Sequence, residues 1–117
     1  MKFALLYHYD PHTAGPVEEE VADWMTFDSQ VREAGILVDE AGFHVRDKAL
    51  TVSVRDGEST VTEGAPTSGP MLAGYYLLDV ADMAAALQWA ARIPTAAYGS
   101  VEVRPIVDFE FEGGNDE

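Results

Sequence analysis

Residues Gly74 to Ile106, GYYLLDVADMAAALQWAARIPTAAYGSVEVRPI, constrain this chain most, because they read in one pass as strand, helix, loop and strand. Tyr75 to Val80 is apolar on both sides except for Asp79, the pattern of a strand covered on both faces. Asp82 is a short oxygen-bearing side chain just ahead of a periodic run, which suits a helix N-cap. Met83, Ala86, Leu87 and Ala90 recur at helical spacing, the helix continues through Arg92, and Pro94 ends it. Gly99 opens a last strand in which Val101, Val103 and Val107 alternate with Glu102 and Arg104. One side of that strand is polar, so it belongs at a sheet edge.

The N-terminal half supplies the matching pieces. Lys2 to Tyr9 alternates as a strand, with Phe3, Leu5, Tyr7 and Tyr9 on one side and Ala4, Leu6 and His8 on the other. A helix is expected from about Pro16 to Ala34, with Glu18, Glu19 and Glu20 at the positive end of its dipole and Gly35 as the stop. Val17, Val21, Trp24, Phe27, Val31 and Ala34 share one arc of that helix, and Asp28 falls inside it. Ile36 to Val38 starts a second strand, interrupted by Asp39-Glu40-Ala41-Gly42. A hairpin follows: Leu50, Val52 and Val54 alternate with polar residues, Asp56-Gly57 turns, and Ser59 to Thr62 returns. Thr51, Ser53 and Arg55 direct one hairpin face to solvent, and Glu63 to Pro70 is a loop.

The resulting order is strand, helix, strand, inserted hairpin, strand, helix, strand. That is an α+β chain of the ferredoxin-like split βαβ type, an antiparallel sheet with two helices on one face. The first and third core strands, apolar on both sides, belong in the middle. Two helices cover only one face, and the Tyr, Leu and Val on the other exceed what a monomer leaves exposed. A sheet-to-sheet homodimer about a two-fold axis is therefore expected. Residues 1–111 make one domain; Phe109 and Phe111 extend the last strand, and residues 112–117 form an acidic disordered tail.

Composition removes several function classes. Twenty-one acidic against seven basic residues give a formal charge of −14, which repels phosphate backbones and anionic lipid. Direct nucleic-acid binding is not expected; the imbalance serves solubility, with attraction of a cationic partner as the sharper alternative. There is no cysteine, hence no disulfide, thiolate metal site or thiol nucleophile. No apolar run approaches the roughly 20 residues of a membrane span, and MKFALLYHYD reads as a strand rather than a signal peptide. A cytoplasmic location follows as the expectation. No phosphate-cradling glycine loop, nucleophile elbow or C-x-x-C is present, and no cofactor is expected.

The groups that could carry chemistry cluster near the end of the first strand. His8, Asp10 and His12 stand at H-x-D-x-H spacing, which in an extended chain would suit zinc or iron; the alternative is a strand end in water. His8 and Asp10, with Asp28 on the first helix, could instead act as an acid–base group, since a nearby carboxylate raises an imidazole's pKa. Asp28 also lies one turn before Arg32, the spacing of a simple ion pair. Tyr7, Tyr9, Trp24, Tyr75 and Tyr76 could line an apolar pocket, or be ordinary core. From these, His8, Asp10 and Asp28 are the candidate catalytic residues and Tyr7, Trp24 and Tyr75 the candidate binding residues.

The run Gly74 to Val80, Ala86 to Pro94 and Tyr98 to Ile106 resembles the YCII-related superfamily and, within it, the DGPF branch. Ala34-Gly35-Ile36-Leu37 and Val54-Arg55-Asp56-Gly57 add to the likeness. The resemblance implies the dimeric α/β-barrel arrangement. The branch signature, Asp-Gly-Pro-Phe followed by Glu-Thr-Lys-Glu, should fall at Glu63 to Pro70, where only Gly64 is kept and Glu63 replaces Asp. Trp24 stands at or near the histidine that enzyme-like relatives carry on the first helix, so their His–Asp chemistry does not transfer. Two functions are compatible with this: a small-molecule-binding domain with a cleft near the first strand and first helix, or a non-catalytic interaction module associated with a transcription factor.

Overall fold

The computed structural model describes residues 1–43, 48–65 and 69–107. The main sheet has the order β2-β5-β1-β6, where β1 is Lys2–Tyr9, β2 Leu37–Gly42, β5 Met71–Asp79 and β6 Ser100–Pro105. All three pairings are antiparallel. Helices α1 (Glu20–Glu33) and α2 (Met83–Ala90) accompany it, and β3 (Leu50–Arg55) with β4 (Glu58–Glu63) forms the inserted hairpin as a separate ribbon. The ferredoxin-like α+β architecture is therefore as expected, with the two strands that are apolar on both sides in the middle. His44, Phe109, Phe111, the acidic tail and part of the loop after β4 lie outside the described residues.

One face of the sheet makes the core. Phe3, Leu5 and Tyr7 of β1 pack with Tyr76 and Leu78 of β5 under Phe27 and Val31 of α1, Ala86 and Ala90 of α2, and Ile93. The small side chains of α2 let it lie close to the sheet. Asp82 caps it as expected, its carboxylate accepting from Ala85 N–H at 2.9 Å. The helix is shorter than its periodicity predicts: it ends at Ala90, Pro94–Ala97 makes a 3-10 turn, and Met83 and Leu87 stay 37% and 52% exposed.

Register assigns the opposite face. Ala4 stands across from Leu77 and Leu6 from Tyr75; Asp39 and Ala41 of β2 flank these on one side, Glu102 and Arg104 of β6 on the other. Its centre is Ala4, Leu6, Ala41, Tyr75 and Leu77, all half-buried, and charged residues surround it. β2 runs through the polar stretch expected to interrupt it, with a register shift between Leu37 and Asp39. An edge strand tolerates that stretch because its acids find partners: Tyr75 donates to Asp39 at 3.0 Å, and Arg32 donates to Glu40 at 3.0 Å.

Two expectations about exposure need correcting. The inward stripe of α1 is Glu20, Trp24, Phe27 and Val31; Val21 and Val17 point outward, and residues 16–19 precede the helix. The hairpin shows solvent its apolar face as well as its polar one: Leu50, Val52, Val54 and Val61 are each 59% exposed or more.

Candidate functional site

Between α1 and the sheet, at the end where β1 finishes, aromatic and acidic side chains converge. Tyr7 comes from β1, Tyr76 from β5, and Trp24 and Phe27 from one face of α1. Trp24 stacks on Tyr76 with the rings 12° from parallel and 6.2 Å apart, and Tyr7 leans on Trp24 at 5.1 Å. Phe27 closes the cluster edge-on to Tyr76 at 5.0 Å. Such tilted and edge-on pairs suit the quadrupole of each ring.

Polar groups line two sides of this cluster. Glu20, only 8% exposed, accepts from Trp24 Nε1–H at 2.7 Å and from the Tyr98 hydroxyl at 3.1 Å. Those two donors explain how a carboxylate holds an inward helix position. On the β2 side, Asp28 takes Arg32 Nε–H at 2.7 Å and the Tyr76 hydroxyl at 3.4 Å, and Glu40 takes the other arm of Arg32. The arrangement is strongly anionic, with one guanidinium holding two carboxylates.

Tyr7 is the exception to this pairing. It is 92% buried, yet among the described residues its hydroxyl meets no hydrogen-bond partner. The ring passes over the Gly42–Gly74 pair of the β2–β5 ladder, where side chains are missing. A Cβ on Gly74 would collide with the Tyr7 hydroxyl, and would lie 2.5 Å from both the Ala41 carbonyl oxygen and Tyr7 Cζ. The two glycines thus form a slot for the phenol. Buried polar groups are ordinarily satisfied, so this unpaired hydroxyl in a built slot stands out.

Burial pushes the Tyr7 hydroxyl up to about 12, with the Glu40 charge adding to it. Burial also carries Tyr98 up to about 12; a hydrogen bond with Thr95 works against it, and the Glu20 contact adds to it. Tyr76 is raised further, by burial first and then by Glu40 and Asp28. A phenol whose pKa is higher folded than unfolded stabilises the fold fully below its unfolded value, 10.0, and loses that contribution as pH rises toward the folded value. Alkaline unfolding is therefore expected to begin above pH 10 and to run through about 12, tyrosinate absorbance and loss of helical circular dichroism rising together. Ionisation of all five tyrosines near pH 10 with the fold intact would contradict this.

The sequence candidates divide between the two faces of the sheet. Tyr7, Trp24 and Asp28 come together on the helix side. His8 follows Tyr7 and stands opposite Ser100, so it lies on the other face with Leu6 and Tyr75. Tyr75 bonds Asp39 there, away from the cluster. Asp10 turns back on its own loop, accepting from His12 N–H at 2.9 Å. No group of three or more His, Asp or Glu placed to hold a metal occurs among the described residues. Glu20, Glu40 and Tyr98 join this arrangement without having been singled out from the sequence, whereas Tyr76 is one of the aromatics named there. Glu20 and Trp24 sit four apart, a spacing that carries the Glu20–Trp24 contact; Tyr98 has no such local signal.

The chain belongs to the YCII-related domain family, whose family model matches residues 1–110. No curated protein matches the chain. Among the described residues, no helix is long and apolar enough to cross a membrane.

Proposed function

We propose that this YCII-related domain binds a small molecule on the helix side of the sheet, with Tyr7 and Trp24 as the main contacts and Asp28 at the rim. The observation that carries this reading is the buried, unpartnered Tyr7 hydroxyl over the Gly42–Gly74 slot. A neutral phenol offers one donor and accepts in return. The stacked Trp24 and Tyr76 rings favour a flat partner, and Asp28, Glu40 and Glu20 disfavour an anion. The ligand class is thus a planar, uncharged or cationic molecule carrying a hydrogen-bonding group. His8 sits across the sheet from Asp28, which favours binding over acid–base catalysis by that pair.

Tyr7→Phe tests the proposal through two opposite effects. Removing an unsatisfied buried hydroxyl is expected to raise the stability of the free protein by about 1 kcal/mol in urea unfolding. The same change is expected to lower affinity for a bound metabolite at least tenfold, measured by calorimetry with the compound recovered from the purified protein. A destabilised Tyr7→Phe chain with unchanged binding would sink the reading.

The same domain is proposed to work as a homodimer through the open sheet face. The support is its apolar centre of Leu6, Tyr75 and Leu77 within a charged rim of Lys2, Asp39, Asp79, Glu102 and Arg104. An apolar patch rimmed by polar residues is the surface pattern of an interaction face.

A further inference from the structure

A second concavity lies on the other side of α1. A groove of about 440 Å³ runs between that helix and the segment that follows α2. Asp23, Phe27 and Gln30 line it from α1, at the i, i+4 and i+7 spacing of one helix face. Trp24 and Asp28 turn away from that face toward β5, where both meet Tyr76. The groove is therefore separate from the Tyr7 slot, with Phe27 standing between the two. Its far wall lies within residues 91–97, where three alanines leave the gap unfilled.

Arg92 is held at this groove with no partner for its charge. Its guanidinium lies over the Trp89 ring, 4.5 Å from the centroid. Such a contact orients the planar group while leaving its N–H donors free. Among the described residues the Arg92 side chain makes no hydrogen bond and no ion pair, whereas Arg32 and Arg104 pair with carboxylates and Arg55 bonds a carbonyl. Asp23 and Gln30 also have no side-chain partner among the described residues. The groove thus offers a free guanidinium, a free carboxylate and a free amide. Its floor is Phe27 and Ile93, both fully buried.

Two contacts fix which group stands at which end. Tyr98 donates to Glu20 at 3.1 Å, so the end of the 3-10 turn meets the first turn of α1. Trp89 meets Phe27 at 6.2 Å, so the end of α2 meets the middle of α1. The far wall therefore runs antiparallel to the helix. Asp23 lies toward Ala97 and Gln30 toward Arg92, and the helix rise separates Asp23 from Gln30 by about 10 Å.

We propose that this groove binds a short zwitterion, with its carboxylate on Arg92 and Gln30 and its ammonium on Asp23. A guanidinium matches a carboxylate with two parallel N–H donors. A simple anion meets the field of a chain with formal charge −14, whereas a zwitterion carries no net charge into it. The Phe27 and Ile93 floor suits a methylene chain joining the two ends. The volume of about 440 Å³ is in the range of small-molecule sites.

The probe is 6-aminohexanoate, which carries its two charges at the ends of a methylene chain. The chain has two tryptophans, so two indole N–H signals report the two places: Trp89 under Arg92, and Trp24 beside Tyr7. In 15N–1H spectra, titration is expected to move the Trp89 signal saturably and to leave that of Trp24 in place. Hexanoate and hexylamine each lack one charge and are expected to bind more weakly by about fivefold or more. Arg92→Gln and Asp23→Asn should each lower the affinity for 6-aminohexanoate by a similar factor, about fivefold or more. Both positions are exposed, so folding is retained and is checked by circular dichroism. Absence of any saturable movement of the Trp89 signal would overturn the proposal. Equal binding of hexanoate and 6-aminohexanoate would remove the role of Asp23 and with it the zwitterion. Movement of the Trp24 signal instead would place the compound in the Tyr7 slot, overturning the second site while leaving the first.

Discussion

Replacing Gly74 with alanine is expected to cost about 3 kcal/mol or more in urea unfolding. A native domain holds only about 5–15 kcal/mol in total, so the variant stands near the edge of folding. The new methyl has nowhere to go: the Tyr7 hydroxyl occupies its place, and the Ala41 carbonyl oxygen and Tyr7 Cζ each lie 2.5 Å away. Two of those three atoms belong to one packed ring and the third to a ladder strand. Relief therefore requires Tyr7 to leave its slot or β2 to part from β5. The ladder partner supplies the control. A Cβ on Gly42 would meet the Tyr7 hydroxyl at 3.8 Å, an ordinary contact, so Gly42→Ala should cost under about 1 kcal/mol. Phe at position 7 does not rescue Gly74→Ala, because Ala41 and the ring carbon stay in place. If the two glycine variants proved equally mild, Tyr7 would not lie over this pair, and the reading of its hydroxyl would fail with it.

What the sequence shows and withholds follows from the reach of each signal. Alternation and helical spacing are local, and they yield the strands, the helices and the β2-β5-β1-β6 order with its apolar middle pair. Strand alternation also separates Tyr7 from His8, and Tyr75 from Tyr76. Grouping His8 and Tyr75 with Tyr7 and Trp24 set aside a period that was already legible. The rotation of α1 was less accessible. Spacing alone favours Val21 over Glu20 as the inward residue, because an unpaired carboxylate is costly to bury. Glu20 turns inward because Trp24 and Tyr98 both donate to it, and Tyr98 is 78 residues away. The hairpin fails differently: alternation states which residues share a face, and Leu50, Val52 and Val54 do share one. It does not state what covers that face.

Phe27→Ala is expected to be the most damaging change on α1, lowering stability by about 3–5 kcal/mol. Only Glu20, Phe27 and Val31 are buried on this helix, so Phe27 is its largest anchor. Its ring stands edge-on to Tyr76 at 5.0 Å, to Trp24 at 6.3 Å and to Trp89 at 6.2 Å, which ties α1 to β5 and α2 together. Alanine removes all three contacts and leaves a void that these large rings fill poorly. Phe27→Leu keeps most of the volume and should cost about 1.5 kcal/mol or less. Met25→Ala, on the outer side of the helix at 68% exposure, should stay within about 0.5 kcal/mol. Urea unfolding of the three variants checks the ranking, and equal values for Phe27→Ala and Met25→Ala would show that the helix is held another way. The consequence for binding is separable from global unfolding. Trp24 and Asp28 sit within one turn of Phe27, so loosening that turn should weaken ligand binding at temperatures where Phe27→Ala is still folded. Met25→Ala, with the same helix and an intact anchor, should bind as the parent does.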